Sequence, residues 1–138
     1  MLAWDPSLAI GIPEIDEQHR SLFEQATRFD AAVRSGLKGK EIQGLFSFLA
    51  GYANEHFEAE ERIMREAGYP RLASHVLEHA EFRRRLATLL PHWESEGDST
   101  ALLMAVSGFL MRWLREHIAA SDRAIGDHLR SRSSQPRQ

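Results

Sequence analysis

The chain has 138 residues, enough for one domain with a core of its own, and no cysteine. Disulfides, iron–sulfur clusters and thiolate zinc sites are therefore excluded, and any metal must be held by oxygen and imidazole donors. The net charge is −3 with both signs interspersed, which argues against a nucleic-acid or anionic-membrane surface.

Residues 1–11 show no charged-then-apolar leader pattern, and no apolar run approaches membrane-spanning length, so a cytoplasmic protein without membrane insertion is expected. In residues 1–15 (MLAWDPSLAIGIPEI), Pro6, Gly11 and Pro13 interrupt any helix. The segment is still apolar, through Leu2, Trp4, Leu8, Ile10, Ile12 and Ile15. An extended arm packed on the body is expected, with Trp4 as its anchor.

Asp16 is the expected N-cap of a first helix over about residues 17–35, whose apolar stripe runs Leu22, Phe23, Ala26, Phe29, Val33. His19 lies on that stripe. A second helix, about residues 40–66, carries Ile42, Leu45, Phe46, Leu49, Ala53, His56, Glu60 and Ile63 in steps of three and four. Gly68 suits its C-cap, and Pro70 suits the first turn of the next helix. The third, about residues 71–90, shows Leu72, His75, His79, Phe82, Leu86 and Leu89 on one face, with Pro91 as its stop. After a polar loop over residues 92–98, a fourth helix capped near Asp98 or Ser99 shows Leu102, Val106, Phe109, Leu110, Trp113 and His117. Its pattern continues less regularly through Ile125 and Leu129, and residues 131–138 read as a frayed polar tail.

Four amphipathic helices with short loops predict an all-α, antiparallel up-down-up-down four-helix bundle over about residues 16–130. An extended N-terminal arm and a short C-terminal helical extension complete one domain, 1–138.

Each helix interrupts its apolar stripe with polar groups: His19; His56 and Glu60; His75 and His79; His117 and then Asp122. In an antiparallel bundle, starts of odd helices meet ends of even ones, so all of these groups fall at one depth. Burying them uncompensated would cost several kcal/mol, and a metal is the simplest compensation. Residues four apart differ by about 40° around a helix, so both members of such a pair reach one inward site. His117 and Asp122 are five apart, about 140° on an ideal helix, which predicts a π-type turn or bend over residues 118–122. Five histidines and two carboxylates exceed the four ligands of a tetrahedral zinc and are too nitrogen-rich for calcium or magnesium. Two transition ions bridged by the carboxylates use every group. Iron fits best, with manganese or a mixed pair as alternatives.

The motifs Ile15-Asp16-Glu17-Gln18-His19, His56-Phe57-Glu58-Ala59-Glu60-Glu61 with Met64, His75-Val76-Leu77-Glu78-His79, and Trp113-Leu114-Arg115-Glu116-His117 running to Asp122 resemble the hemerythrin family. Within it, the likeness is to single-domain bacterial members, and it covers nearly the whole chain. The resemblance implies a non-haem di-iron centre, with one iron on His75, His79 and His117 and the other on His19 and His56. Glu60 and Asp122 would bridge them together with an oxo or hydroxo group. Dioxygen would bind end-on at the two-histidine iron and be held as a hydroperoxide. Animal members carry a tyrosine near the fourth-helix aspartate, where this chain has Ile125.

The expected function is reversible oxygen binding, for carriage, storage or delivery to an oxygen-using enzyme, and not catalysis. Two carboxylates and five neutral imidazoles supply less negative charge than the ligands of di-iron oxidases, which favours stopping short of O–O cleavage. Sensing through a separate signalling partner, and di-iron peroxidase or nitric-oxide chemistry, are the alternatives. Helical spacing to the ligands marks Leu22, Phe57, Ile63, Phe82, Trp113, Leu114 and Ile118 as oxygen-pocket candidates, although plain core packing explains several of them equally well. Glu61 and Glu78 read as solvent-facing, with orientation of a ligand imidazole as the other reading. His92 and His128 read as surface residues, Met64 and Met111 as packing. Arg83-Arg84-Arg85 reads as a solvated helix face, with a partner contact as the lesser reading.

Overall fold

The computed structural model describes residues 4–134, apart from the side chains of Glu94, Glu96 and residues 132–134. Leu2 of the expected arm and the last four residues of the expected tail lie outside these. The elements are a 3-10 turn (Pro6–Leu8), then helices α1 (Pro13–Arg34), α2 (Gly39–Ala67), α3 (Leu72–Glu96) and α4 (Thr100–His117). A π-turn (Ile118–Asp122) joins α4 to α5 (Arg123–Ser134). α1 packs against α2 and α4, and α3 against the same two, closing the antiparallel bundle.

The start of the bundle differs from expectation. α1 begins at Pro13, whose fixed φ and missing N–H suit a first helical position, and Ile12 occupies the N-cap without a side-chain cap. Asp16 instead reaches back: its carboxylate accepts from the backbone N–H of Ile10 at 2.7 Å and of Gly11 at 3.1 Å. The segment before α1 is thereby tied to the helix that carries His19. It lies directly on α5, where a Cβ on Gly126 would stand 2.0 Å from the Ile10 carbonyl oxygen. Arg130 donates to that same oxygen at 2.6 Å, and Arg123 donates to the Ser7 carbonyl.

Pro91 does not stop α3, which continues to Glu96. A proline inside a helix costs about 3 kcal/mol through one lost hydrogen bond and a ring clash. Trp93 offsets this. It is buried against Phe46, ring centroids 5.2 Å apart, and its indole N–H donates to the Asp98 carboxylate. The expected loop therefore shrinks to a few residues, and Ser99 caps α4 by accepting from Leu102 N–H at 3.1 Å. On α4 the fully buried position is Leu103, with Leu102 only half-buried. α5 runs through the first four residues of the expected tail, and His128 is half-buried with its ring edge-on to Tyr69.

The apolar interior falls into two parts. The larger joins Phe23, Phe29, Leu49, Leu103 and Leu110 with the rings near the site; the smaller is Met64, Tyr69 and Ile125. Along α2 the order is Phe57, Glu60, Met64, and along the chain after α4 it is Ile118, Asp122, Ile125. The polar donors thus occupy a layer between two apolar clusters.

Candidate metal centre

Gly68, in the left-handed conformation at φ 64°, ends α2 just after His56 and Glu60. The chain then reverses within four residues and enters α3 at Leu72, so that His75 and His79 return to the same depth. α1 brings His19 in its second turn. The π-turn does what the five-residue spacing requires: its i→i+5 geometry returns Asp122 to the face of His117. Seven buried donors, each at most 5% exposed, meet as a result.

They divide into two groups that share both carboxylates, Glu60, His75, His79, His117 and Asp122 in one, His19, His56, Glu60 and Asp122 in the other. Glu60 Oε1 lies 3.2 Å from His75 Nε2 and 3.1 Å from His79 Nε2, while its Oε2 lies 3.3 Å from His19 Nε2 and 3.2 Å from His56 Nε2. Asp122 repeats the division. Its Oδ1 is 3.0 Å from both His75 and His117 Nε2, and its Oδ2 is 2.8 Å from His19 Nε2. Each carboxylate therefore turns one oxygen toward the His75, His79 and His117 group and the other toward the His19 and His56 group.

Three outer groups fix which imidazole nitrogen faces inward. His56 Nδ1–H donates to Gln18 Oε1 at 2.7 Å, His79 Nδ1–H to Glu61 Oε2 at 2.8 Å, and His117 Nδ1–H to Glu78 Oε1 at 3.1 Å. Donation from Nδ1 leaves the Nε2 lone pair aimed at the carboxylates, as metal ligation demands. Glu78 is itself held by Ser121 Oγ–H, at 2.5 Å, from within the π-turn. Glu61 and Glu78 thus follow the orienting reading. Gln18 and Ser121 were missed as orienting groups. Gln18 precedes His19 in the Ile15–His19 motif, but a half-exposed amide carries no signature of its target, and Ser121 reaches Glu78 only because of the π-turn.

The electrostatics fit a cation. Burial disfavours charge on the imidazoles, yet the two carboxylates outweigh it and raise His19 and His75 to about 9, with His117 also pushed well up. Burial likewise favours a neutral Glu60, but the surrounding imidazoles, His56 foremost, hold its carboxyl well below the usual range. Glu78 is lowered to about 2, chiefly by His117. Both Asp122 oxygens are fully buried without a hydrogen-bonding donor among the described residues. The Nε2 atoms of His19, His75 and His117 stand within 3 Å of them. Buried carboxylate oxygens ringed by imidazole nitrogens are a cation cradle once a metal displaces the imidazole protons, and this donor set suits transition ions.

Six of the seven expected pocket residues lie in or against the larger apolar cluster. Leu22, Phe57, Phe82, Leu114 and Ile118 are buried in the larger cluster, and half-buried Trp113 packs on it. Phe57 stacks on His79 and Trp113 on His117. Ile63 is the exception: it is half-buried and belongs to neither cluster, because fully buried Met64 takes the inward position beside it. Among the described residues, no helix is long and apolar enough to cross a membrane.

Comparison with known proteins agrees with this geometry. Residues 10–129 match the model of the hemerythrin HHE cation binding domain. The chain is 32% identical over 135 residues to a bacteriohemerythrin of Stenotrophomonas maltophilia, covering 98% of this chain and 86% of that one. It is 30% identical over 130 residues to a bacteriohemerythrin of Clostridium acetobutylicum, covering 92% of this chain and all of that one. A hemerythrin-like protein of Naegleria gruberi is 30% identical over 119 residues, 86% of each chain.

Proposed function

Given that the chain belongs to the hemerythrin family, we propose that its seven-donor centre holds two irons and binds dioxygen reversibly. One observation carries the reading: Glu60 and Asp122 each divide their two oxygens between a three-imidazole and a two-imidazole group. His75, His79 and His117 would hold one iron and His19 and His56 the other, with both carboxylates spanning the pair. The two-histidine position has one protein ligand fewer, so it is the one left open to a small molecule. When bound, the irons supply the electrons that dioxygen takes up. The protein's part is to hold the imidazoles by their outer partners and to exclude water with Leu22, Phe57, Leu114 and Ile118.

Carriage is favoured over turnover because the centre has only two carboxylates, both shared between the two imidazole groups. Less negative charge reaches the irons, and further oxidation of them is less supported.

The test is optical. The purified protein is loaded with iron, reduced without air, and exposed to oxygen. A ligand-to-iron charge-transfer band should appear and vanish again on deoxygenation, with two irons per chain by metal analysis. Permanent conversion to the diferric form on first contact, or steady consumption of added peroxide, would replace carriage by an enzymatic role. One zinc per chain would remove the di-iron reading altogether.

A further inference from the structure

Both rings stacked on the three-histidine group lead outward to arginines. Trp113 lies on His117 with ring centroids 4.4 Å apart and planes 15° from parallel. Phe82 follows at 4.6 Å from Trp113, and Phe109 stacks on Phe82 at 5.6 Å. The Arg85 guanidinium stands 4.7 Å above the Phe109 ring. On the second line, Phe57 lies 4.0 Å from His79, and the Arg83 guanidinium stands 5.2 Å from the Phe57 ring. Phe109 and Leu89 floor an open groove of about 540 Å³ between α3 and α4, rimmed by Arg84, Arg85 and Arg112. Arg84 is paired with Glu81, but neither Arg85 nor Arg112 has a carboxylate within ion-pair distance among the described residues. A rim of three arginines, two of them without an ion-pair partner among the described residues, is a local inversion of sign on a chain of net charge −3.

We infer that this groove is the docking surface for an acidic one-electron carrier protein, which returns the oxidised centre to its ferrous state. The inference rests on the centre holding iron. Seven donors at most 5% exposed keep a protein reductant from touching the metals, so the electrons must cross the polypeptide. Contiguous packed rings are a better tunnelling medium than gaps, and both ring lines end on imidazoles of the three-histidine group. Electrons would enter at that iron, while dioxygen uses the two-histidine one. The occupant follows from charge complementarity: the Arg85 and Arg112 guanidiniums beside an apolar floor fit a carboxylate-rimmed surface with an apolar centre. Two carriers each give up one electron, both irons pass from ferric to ferrous, and solvent protons balance the charge.

The test uses iron-loaded, oxygen-competent protein, with a reduced acidic [2Fe–2S] ferredoxin as probe. Arg85→Glu/Arg112→Glu should lower the second-order rate of diferric reduction by the ferredoxin roughly ten-fold or more and abolish its salt dependence. Reduction by the small cationic methyl viologen radical should not slow, and the oxygen-dependent band should be unchanged. A gallium-substituted, redox-inert ferredoxin supplies a readout independent of iron chemistry: its affinity by NMR titration should fall in the same variant. Trp113→Leu should lower the limiting rate at saturating ferredoxin and leave that affinity intact. Equal rates and affinities for wild type and the charge-reversed protein would overturn the assignment, as would a wild type that binds no ferredoxin. Loss of the oxygen band in the wild type would instead strike the oxygen-binding reading, because the inert-carrier titration still reports on the groove.

Discussion

Phe57 lies flat against His79, ring centroids 4.0 Å apart and planes 15° from parallel, and is itself fully buried. Its ring also meets Phe82 and Trp113 edge-on, at 5.4 and 5.6 Å. A candidate iron ligand is therefore clamped on one side by Glu61, which accepts from its Nδ1–H, and on one face by a cluster of packed rings. Orientation and dryness come from different neighbours of the same imidazole, so they can be perturbed separately.

Dryness is tested at Leu114. It is 2% exposed and packed in the cluster beside the site. Leu114→Ala opens space without removing a donor, and should speed conversion of the oxygenated protein to the diferric form several-fold. A core leucine truncation also costs about 2–5 kcal/mol, so the melting temperature should drop in the same variant. The decay of the oxygen-dependent band at a temperature where both proteins are folded separates the two effects. An unchanged decay would remove Leu114 from the wall.

Orientation is tested at Gln18, whose Oε1 accepts from His56 Nδ1–H at 2.7 Å. Gln18→Ala frees the ring to turn and to take the other tautomer. Loss of such an outer partner weakens metal binding by about 10- to 100-fold. Chelator competition should show the loss in one of the two irons, and circular dichroism should be unaltered. If both irons leave together, the two positions are coupled more tightly than the donor split implies.

Much of this is legible in the sequence. Periodicity located the helices, and the antiparallel rule placed five histidines and two carboxylates at one depth. The five-residue gap from His117 to Asp122 required a π-turn, which is present. What failed to show were matters of competition between neighbours. Pro91 reads as a stop until the burial of Trp93 outweighs its cost. Ile63 and Met64 both suit an inward position on α2, and only packing against Tyr69 and Ile125 selects Met64. Gln18 and Ser121 act through polar contacts between elements, and no helical period encodes those.

The N-terminal segment is tested at Gly126. An added Cβ there would meet the Ile10 carbonyl oxygen at 2.0 Å, and that atom is backbone, held by Arg130 and flanked by the Asp16 contacts. It cannot yield as a side-chain tip would. Gly126→Ala should therefore destabilise by about 1–3 kcal/mol through overpacking, although alanine is the better helix former. Denaturant unfolding checks this. A stabilised variant would mean that the segment is not seated on α5 in solution.

The last expectation concerns pH, and its sign follows from the direction of the shifts. In the metal-free protein, His19 and His75 are raised from 6.5 to about 9 because burial is outweighed by Asp122 and Glu60. A raised histidine stabilises the fold fully below its unfolded pKa, and that contribution is lost as pH climbs through the folded value. The chelator-treated protein should accordingly lose thermal stability between about pH 6.5 and 9. Glu60 and Asp122 are shifted the other way and add stability that disappears only in acid, below the ordinary carboxylate range. Metal must displace the imidazole protons, so iron affinity should rise over the same alkaline window in which the metal-free fold weakens. Melting curves across that range, with and without iron, should diverge as pH increases. Parallel curves would show that the inward imidazoles are already neutral at pH 6.5, and that the carboxylates do not control their protonation.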